Sequence, residues 1–303
     1  MDELDFAYVG LGVHEEVVYS VADELGYYAD EGVHVAIRDG VRWDDDRLRQ
    51  AAVVGLGRTL LIRLLAGTPW TMLCVNTERP LFWFMARGEL SDISELRGRR
   101  VAMHPRLVAP GTFARIVLRG RGLDPDTDIE AVEMFPGDYS EHIRLLQSGE
   151  LDAAVIGSTL SPEQLEAEAG LRRLLFFGDD LQIPTTGVAV DPSVVALDDP
   201  RVEGLVRANL RALAALLDDP ALGAEHVGRL LPAADEATAR DFYDRYVGSR
   251  FKADGRPDPE VVAKALALVA DELRIITGRA VDVPPAEEIY RSDLTAAWAP
   301  TAP

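Results

Sequence analysis

Apolar and polar positions recur with two different periods along this chain, and the changes of period place its elements. Phe6–Val9 is a short apolar run, Gly10-Leu11-Gly12 interrupts it, and Val13–Leu25 repeats apolar residues at helical spacing up to Gly26. Tyr27–Gly32 reads as a turn and Val33–Ile37 alternates as a strand does, so the chain opens β-loop-α-β. Asp44-Asp45-Asp46 supplies a cap for a short helix at its positive N-terminal end. A strand at Ala51–Val54, the Gly55-Leu56-Gly57 turn, a helix over about Thr59–Ala66 and a strand at Trp70–Val75 follow. Leu81–Ala86 reads as a crossing into a second repeat of strands (Arg100–Met103, Glu130–Phe135, Ala153–Ile156, Leu174–Phe177) and helices (Gly111–Arg121, Tyr139–Ser148, Pro162–Ala169). Thr186–Val190 reads as a return strand. Beyond Pro200 the spacing predicts helices at Arg201–Leu217, Gly223–Leu231, Glu236–Tyr246 and Pro259–Ile276. The proline-bearing tail from Asp282 reads as surface loop with one short helix near Ala286–Tyr290. Alternating β and α predicts an α/β fold of mixed, mostly parallel sheets with helices on both faces.

The length of 303 residues allows one large core or two modest ones. The net charge of −20 argues against nucleic acid and anionic membrane surfaces as partners, because both require clustered positive charge. No apolar run reaches the 18 or so residues that a spanning helix needs. Cys74 is the one cysteine, so no intrachain disulfide forms, and its place in Trp70–Val75 predicts a small buried residue. Zinc-type Cys/His spacing is absent, so neither a metal nor a cofactor is expected. The start, Met1-Asp2-Glu3-Leu4-Asp5-Phe6, has no basic segment followed by an apolar one, which predicts a cytoplasmic protein. The alternative is an exported protein whose signal peptide has been removed.

Three stretches together resemble a known family. Leu25-Gly26-Tyr27-Tyr28-Ala29-Asp30-Glu31-Gly32-Val33-His34-Val35 is similar to the entry segment of type 2 periplasmic-binding-protein folds. Asp92-Ile93-Ser94-Glu95-Leu96-Arg97-Gly98-Arg99-Arg100-Val101-Ala102 and Gly149-Glu150-Leu151-Asp152-Ala153-Ala154 resemble two further motifs of that fold. The resemblance covers roughly residues 5–190 and is strongest to the nitrate, sulfonate and taurine binding proteins and the thiamine-pyrimidine precursor synthases. It implies two lobes, residues 1–85 plus 187–303 and residues 86–186, with a ligand cleft between them. Gly55-Leu56-Gly57-Arg58-Thr59 also resembles, faintly, a glycine loop of the aromatic sulfinate desulfinase, a cytoplasmic enzyme on this fold. That enzyme's nucleophilic cysteine lies in the loop after the first strand, where this chain has Val9-Gly10-Leu11-Gly12-Val13-His14-Glu15. The nucleophile therefore has no counterpart, and neither do the iron-site cysteines and active-site lysine of the pyrimidine synthases.

In such a fold the loops after the strands face the ligand, near helix N-termini. His14, following Gly12, is a candidate acid/base or ligand contact, with Glu15 or Glu16 to orient it; the plainer alternative is a surface histidine at a helix start. Arg58 and Thr59 have the chemistry of an anion clamp, or of a surface ion pair. His104, a second candidate acid/base, and Arg106 follow the strand Arg100–Met103. Gly111, Thr112 and Phe113 open the next helix, and Ser158 and Thr159 follow Ala153–Ile156. No nucleophile-elbow glycines flank Ser158, which argues against a serine hydrolase. Trp43, Trp83 and Phe113 are candidate pocket walls, with core packing the commoner role. His34, His142 and His226 read as surface residues.

The leading functional expectation is a cytoplasmic enzyme acting on a small anionic, perhaps aromatic, molecule by lyase-type chemistry: decarboxylation, desulfination or dehydration. His14 or His104 would move protons, and Arg58 with Thr112 would hold the anion. The alternatives are a solute-binding protein of an ABC import system and a cytoplasmic metabolite sensor. The helical C-terminal region either covers one lobe or forms the surface of a homodimer.

Overall fold

The computed structural model describes residues 3–10, 12–135, 139–232 and 234–299. Among them ten strands run in chain order: Leu4–Tyr8 (β1), Val35–Asp39 (β2), Ala52–Gly55 (β3), Thr71–Thr77 (β4), Phe82–Arg87 (β5), Arg100–Met103 (β6), Glu130–Glu133 (β7), Ala153–Gly157 (β8), Leu171–Phe176 (β9) and Thr186–Val190 (β10). They form two five-stranded sheets, ordered β2-β1-β3-β10-β4 and β7-β6-β8-β5-β9. In the first, β1 lies parallel to β2 and β3, while β10 runs antiparallel to β3 and β4. In the second, β6 lies parallel to β7 and β8, while β5 runs antiparallel to β8 and β9. The sheets are thus evenly mixed rather than mostly parallel. The segment expected to be a crossing is itself the strand β5, whose Trp83, Phe84, Met85 and Ala86 are fully buried.

The chain forms two compact units, Met1–Glu78 with Ile183–Leu266 and Asp282–Pro303, and Arg79–Gln182 with Ala267–Val281. The changeovers fall at 78/79 and 182/183; a boundary at 85/86 would cut β5. Residues 267–281 belong with the second unit for an electrostatic reason. Arg115 and Glu272 are 3% and 2% exposed, and Arg115 Nε donates to Glu272 Oε1 at 2.7 Å. Arg119 Nε donates to the other oxygen of Glu272 at 2.8 Å, and both arginines also hold Asp126.

In the first unit all seven residues of β4 are buried although it is an edge strand. Two distant segments explain this: residues 251–255, where the Val75 N–H donates to the Gly255 carbonyl and the Lys252 N–H to the Asn76 carbonyl, and the C-terminal tail. Arg291 N–H donates to the Met72 carbonyl at 2.9 Å and Thr295 Oγ1 to the Leu73 carbonyl at 2.5 Å. The tail holds two short helices, Ala286–Ile289 and Ser292–Trp298, and covers a sheet edge that would otherwise present unpaired backbone groups. It is not the surface loop that its prolines suggest. The helix expected over Glu236–Tyr246 is α-helical only to Phe242, and Tyr243–Val247 continues with a wider, π-type turn.

Removing Glu272 leaves two guanidinium groups without their shared buried acceptor. Glu272→Ala is expected to cost about 3–5 kcal/mol, and Glu272→Gln less, in urea denaturation followed by circular dichroism.

Candidate functional site

In the first unit the C-terminal ends of β1, β2 and β3 gather at one end of the sheet, and Thr186 at the start of β10 pairs there with Gly55. Gly12 caps the helix Val13–Glu24 with an extended backbone, its carbonyl accepting from the N–H groups of Glu15 and Glu16. His14 is 6% exposed, and burial lowers its imidazole to about 4. Glu15 keeps part of its side chain at the surface and accepts from the Gly10 N–H at 3.1 Å. Burial of its carboxyl pushes it up to about 8, against the pull of the Gly10 and Val9 N–H groups. Glu16 is also raised by burial, and Tyr19, whose ring stacks on Tyr8, donates to it at 3.4 Å.

The expected anion clamp is arranged differently. Arg58 donates to three carbonyls of the loop after β2: Gly40 at 3.2 Å, Val41 at 3.4 Å and Trp43 at 2.6 Å. Asp45 lies 3.8 Å from the same guanidinium. Its donors thus hold a loop. Thr59 is fully buried and its hydroxyl donates back along its own helix, to Leu56 at 3.1 Å. Thr186 Oγ1, by contrast, is buried with no hydrogen-bond partner among the described residues.

In the second unit His104 follows the last residue of β6 and Ser158 follows the last residue of β8. His104 is 6% exposed, and burial lowers it to about 3, with His142 adding to the effect. Its Nε2 lies 3.2 Å from the Tyr139 hydroxyl, while its Nδ1 is buried without a partner among the described residues. Tyr139 is held tightly from the other side as well. A Cβ on Gly157 would stand 2.7 Å from its hydroxyl oxygen, so only glycine lets β8 approach it. Tyr139 also adopts a left-handed backbone, φ 63°, that non-glycine residues seldom take. Gly111 is required in the same sense: its Cβ would lie 2.1 Å from the Pro105 carbonyl. That close approach seats the helix Ala109–Gly120 on the loop after β6. Thr112 is fully buried and donates to the Arg106 carbonyl at 2.9 Å, and Phe113 is buried core. Arg106 is exposed and pairs with Glu133 at 2.7 Å. Ser158 is buried, and Thr159 Oγ1 is buried without a described partner. A cavity of about 170 Å³ opens beside His104, away from Ser158 and Thr159, bounded in part by Met103, Arg106, Arg115, Ala131 and Glu133.

Two histidines expected at the surface are buried. His142 lies 2% exposed with its ring 5.3 Å from that of Tyr139. His226 lies 1% exposed between Ser20, at 3.1 Å from Nδ1, and Glu24, at 3.4 Å from Nε2. Helix periodicity alone does not reveal the helix Val13–Glu24 packed against His226 or the Tyr139 ring packed against His142. His34 is exposed as expected. Trp83 is core, stacked on Phe176, and Trp43 carries the Arg47 guanidinium 4.2 Å above its ring. Cys74 is buried against Asn209, and burial raises its thiol to about 12. Tyr139 and Thr186 are the residues that sequence reasoning passes over. Neither sits in a motif, and each gains its place through a partner strand distant in sequence.

The profile of the family described as NMT1/THI5 like matches residues 15–222. The riboflavin-binding protein RibY of Chloroflexus aurantiacus is 24% identical over 213 residues, covering 67% of this chain and 59% of that protein. The chain thus spans about three-fifths of the length of this curated relative. Among solved structures, the alkanesulfonate-binding protein SsuA of Xanthomonas axonopodis pv. citri, bound to MOPS, superposes with a TM-score of 0.69 at 14% identity over 99% of this chain and 98% of that one. The desulfurization enzyme DszB superposes with a TM-score of 0.62 at 16% identity over 99% and 96%. These likenesses establish the periplasmic-binding-protein fold.

The buried histidines make a pH-dependent prediction. A folded-state value below that of free imidazole means that the unfolded chain takes up the proton first as pH falls below about 6.5, so stability falls with it. Between pH 7 and pH 5 the parent protein should lose about 2 kcal/mol more than His104→Gln. Urea titrations of both proteins at the two pH values measure the difference.

Proposed function

We propose that this chain, which belongs to the NMT1/THI5-like family, is the solute-binding component of an ABC-type import system and binds a small molecule without transforming it. The observation that carries this reading is the state of His14 and His104. Both are buried, and burial holds both well below the usual imidazole range. An imidazole at about 4 is charged in roughly one molecule in a thousand at pH 7, which makes it a poor general acid and a weak base. His104 is met by a tyrosine hydroxyl, where a catalytic base is commonly oriented by a carboxylate. Such groups suit recognition, as fixed hydrogen-bonding atoms in a dry setting.

The relatives point the same way by what they are called: a riboflavin-binding protein and an alkanesulfonate-binding protein. The lyase reading has less behind it. DszB is a more distant likeness, and the one cysteine of this chain is sealed inside β4 with its thiol raised to about 12, the wrong state for a nucleophile. An import role goes with an exported chain rather than a cytoplasmic one. The candidate ligand contacts are Gly12, His14 and Glu15 at the strand ends of the first unit and, taken separately, His104, Tyr139, Ser158 and Thr159 in the second.

Binding without turnover is tested by incubating the protein with a nutrient-metabolite library and following thermal unfolding. A true ligand at a hundredfold excess over its Kd adds about 2.7 kcal/mol of stability. Mass spectrometry should then recover it unaltered; conversion of the bound compound would overturn the reading in favour of an enzyme.

A further inference from the structure

The buried ring of His104 has two nitrogens and one proton to place. Burial keeps the imidazole uncharged near neutrality, so one nitrogen carries a hydrogen and the other a lone pair. Nε2 lies 3.2 Å from the Tyr139 hydroxyl, and Nδ1 is buried without a partner among the described residues. The phenol decides between the two arrangements. Burial raises Tyr139 above the usual phenol range, so it keeps its hydrogen and needs an acceptor for it. Its oxygen already receives the Gly157 N–H. Among the described residues, the acceptor it reaches is His104 Nε2. When the phenol donates to Nε2, the ring hydrogen sits on Nδ1. If Nε2 carried the hydrogen instead, the Tyr139 oxygen would accept twice and its own O–H would find no acceptor. Nδ1 is unmet either way, so the second arrangement leaves one more buried polar group without a bond. Such a group costs the fold its full desolvation penalty, and the first arrangement wins.

We propose that Tyr139 is a positioning residue that holds His104 in the Nδ1–H tautomer, so that the ring presents an N–H donor and not a lone pair. The use of that donor in recognition rests on the binding role above; the tautomer itself does not. Free neutral imidazole in a histidine favours the opposite form, with hydrogen on Nε2, so the fold has to impose this one. Which nitrogen is protonated follows from the bond that the other makes. The surroundings of Tyr139 hold that bond in place. Its backbone sits at φ 63°, a strained conformation that persists only where neighbouring contacts over-determine it. The absent Cβ of Gly157 leaves room for its hydroxyl, and the His142 ring packs against it at 5.3 Å. The imidazole is fixed as well. The rings of Tyr139 and Phe82 meet it edge-on, at centroid distances of 6.1 and 5.8 Å. His104 also bounds the cavity of about 170 Å³, which gives an approaching molecule room beside the ring.

The test is nitrogen-15 NMR of the full-length protein labelled at histidine, at neutral pH and without ligand. Long-range proton–nitrogen correlations show which ring nitrogen carries hydrogen, and the signals absent from His104→Gln assign the ring. The parent protein should show His104 with hydrogen on Nδ1, while the exposed His34 shows the ordinary preference for Nε2. Tyr139→Phe keeps the aromatic ring and loses the hydroxyl, so His104 should shift to mainly Nε2–H. Gly157→Ala places a methyl where the hydroxyl stands and should shift it the same way. Hydrogen on Nε2 of His104 in the parent protein overturns the proposal. So does an unchanged Nδ1–H signal in a folded Tyr139→Phe protein, because a bystander tyrosine would leave the tautomer alone. Should Tyr139→Phe fail to fold, Gly157→Ala takes its place; should both fail, the parent spectrum decides. The spectrum is read on the free protein, so a wrong tautomer leaves the binding role standing, and a metabolite library without a hit leaves the tautomer standing.

Discussion

Each sheet depends on one strand that arrives from far along the chain and runs against its neighbours. β10 lies between β3 and β4 and joins β4 to the rest, so without it the first sheet divides. β5 does the same for β9 in the second sheet. Both strands are apolar throughout their centres, Gly187-Val188-Ala189 and Trp83-Phe84-Met85, as strands buried on both faces must be. The three parallel strands of each sheet are then free to end in loops and helix starts at one end. Those ends collect the histidines, threonines and carboxyls discussed above. The topology explains why polar groups concentrate there and why so few of them reach water.

The resemblance and the periodicity made most of this architecture legible. β1, the glycine break, the helix Val13–Glu24, β6 and the Gly149 stop, with its φ of 77°, stand where the residues placed them. Asp44 accepts from the Arg47 N–H, as a helix cap should. What the chain kept hidden was non-local. β5 looked like a connection because a fully buried strand has no alternation to betray it. The tail looked like loop because its prolines are visible and its bonds to Met72 and Leu73, more than 200 residues away, are not. Arg115 and Glu272 are 157 positions apart, and nothing in either neighbourhood announces the pair.

The candidate residues show the same division. His14, Arg58, His104 and Ser158 lie just after strand ends, and Thr112 in the first turn of the helix Ala109–Gly120, the positions that the β-loop-α repeats predict for them. Their chemistry was harder to foresee. An arginine after a glycine turn has the donors for an anion, but backbone carbonyls 15–18 residues earlier took them first. Threonines at helix starts became internal bonds of the fold. The polar atoms left over are neutral ones, and they come from Thr159, Thr186 and the ring of His104. Partner identity at such a site is decided by which donors the protein has not already used, and one sequence does not list them.

Cys74 carries a consequence of a different kind. It is the single sulfur of its type in the chain, sealed in β4 at 1% exposure, with Asn209 donating to it at 3.3 Å. A thiol so placed and so weakly acidic neither pairs with another chain nor reacts with small oxidants while the fold is intact. The folded protein is therefore indifferent to the redox potential around it. It can be made in a reducing compartment and work in an oxidising one without a covalent change.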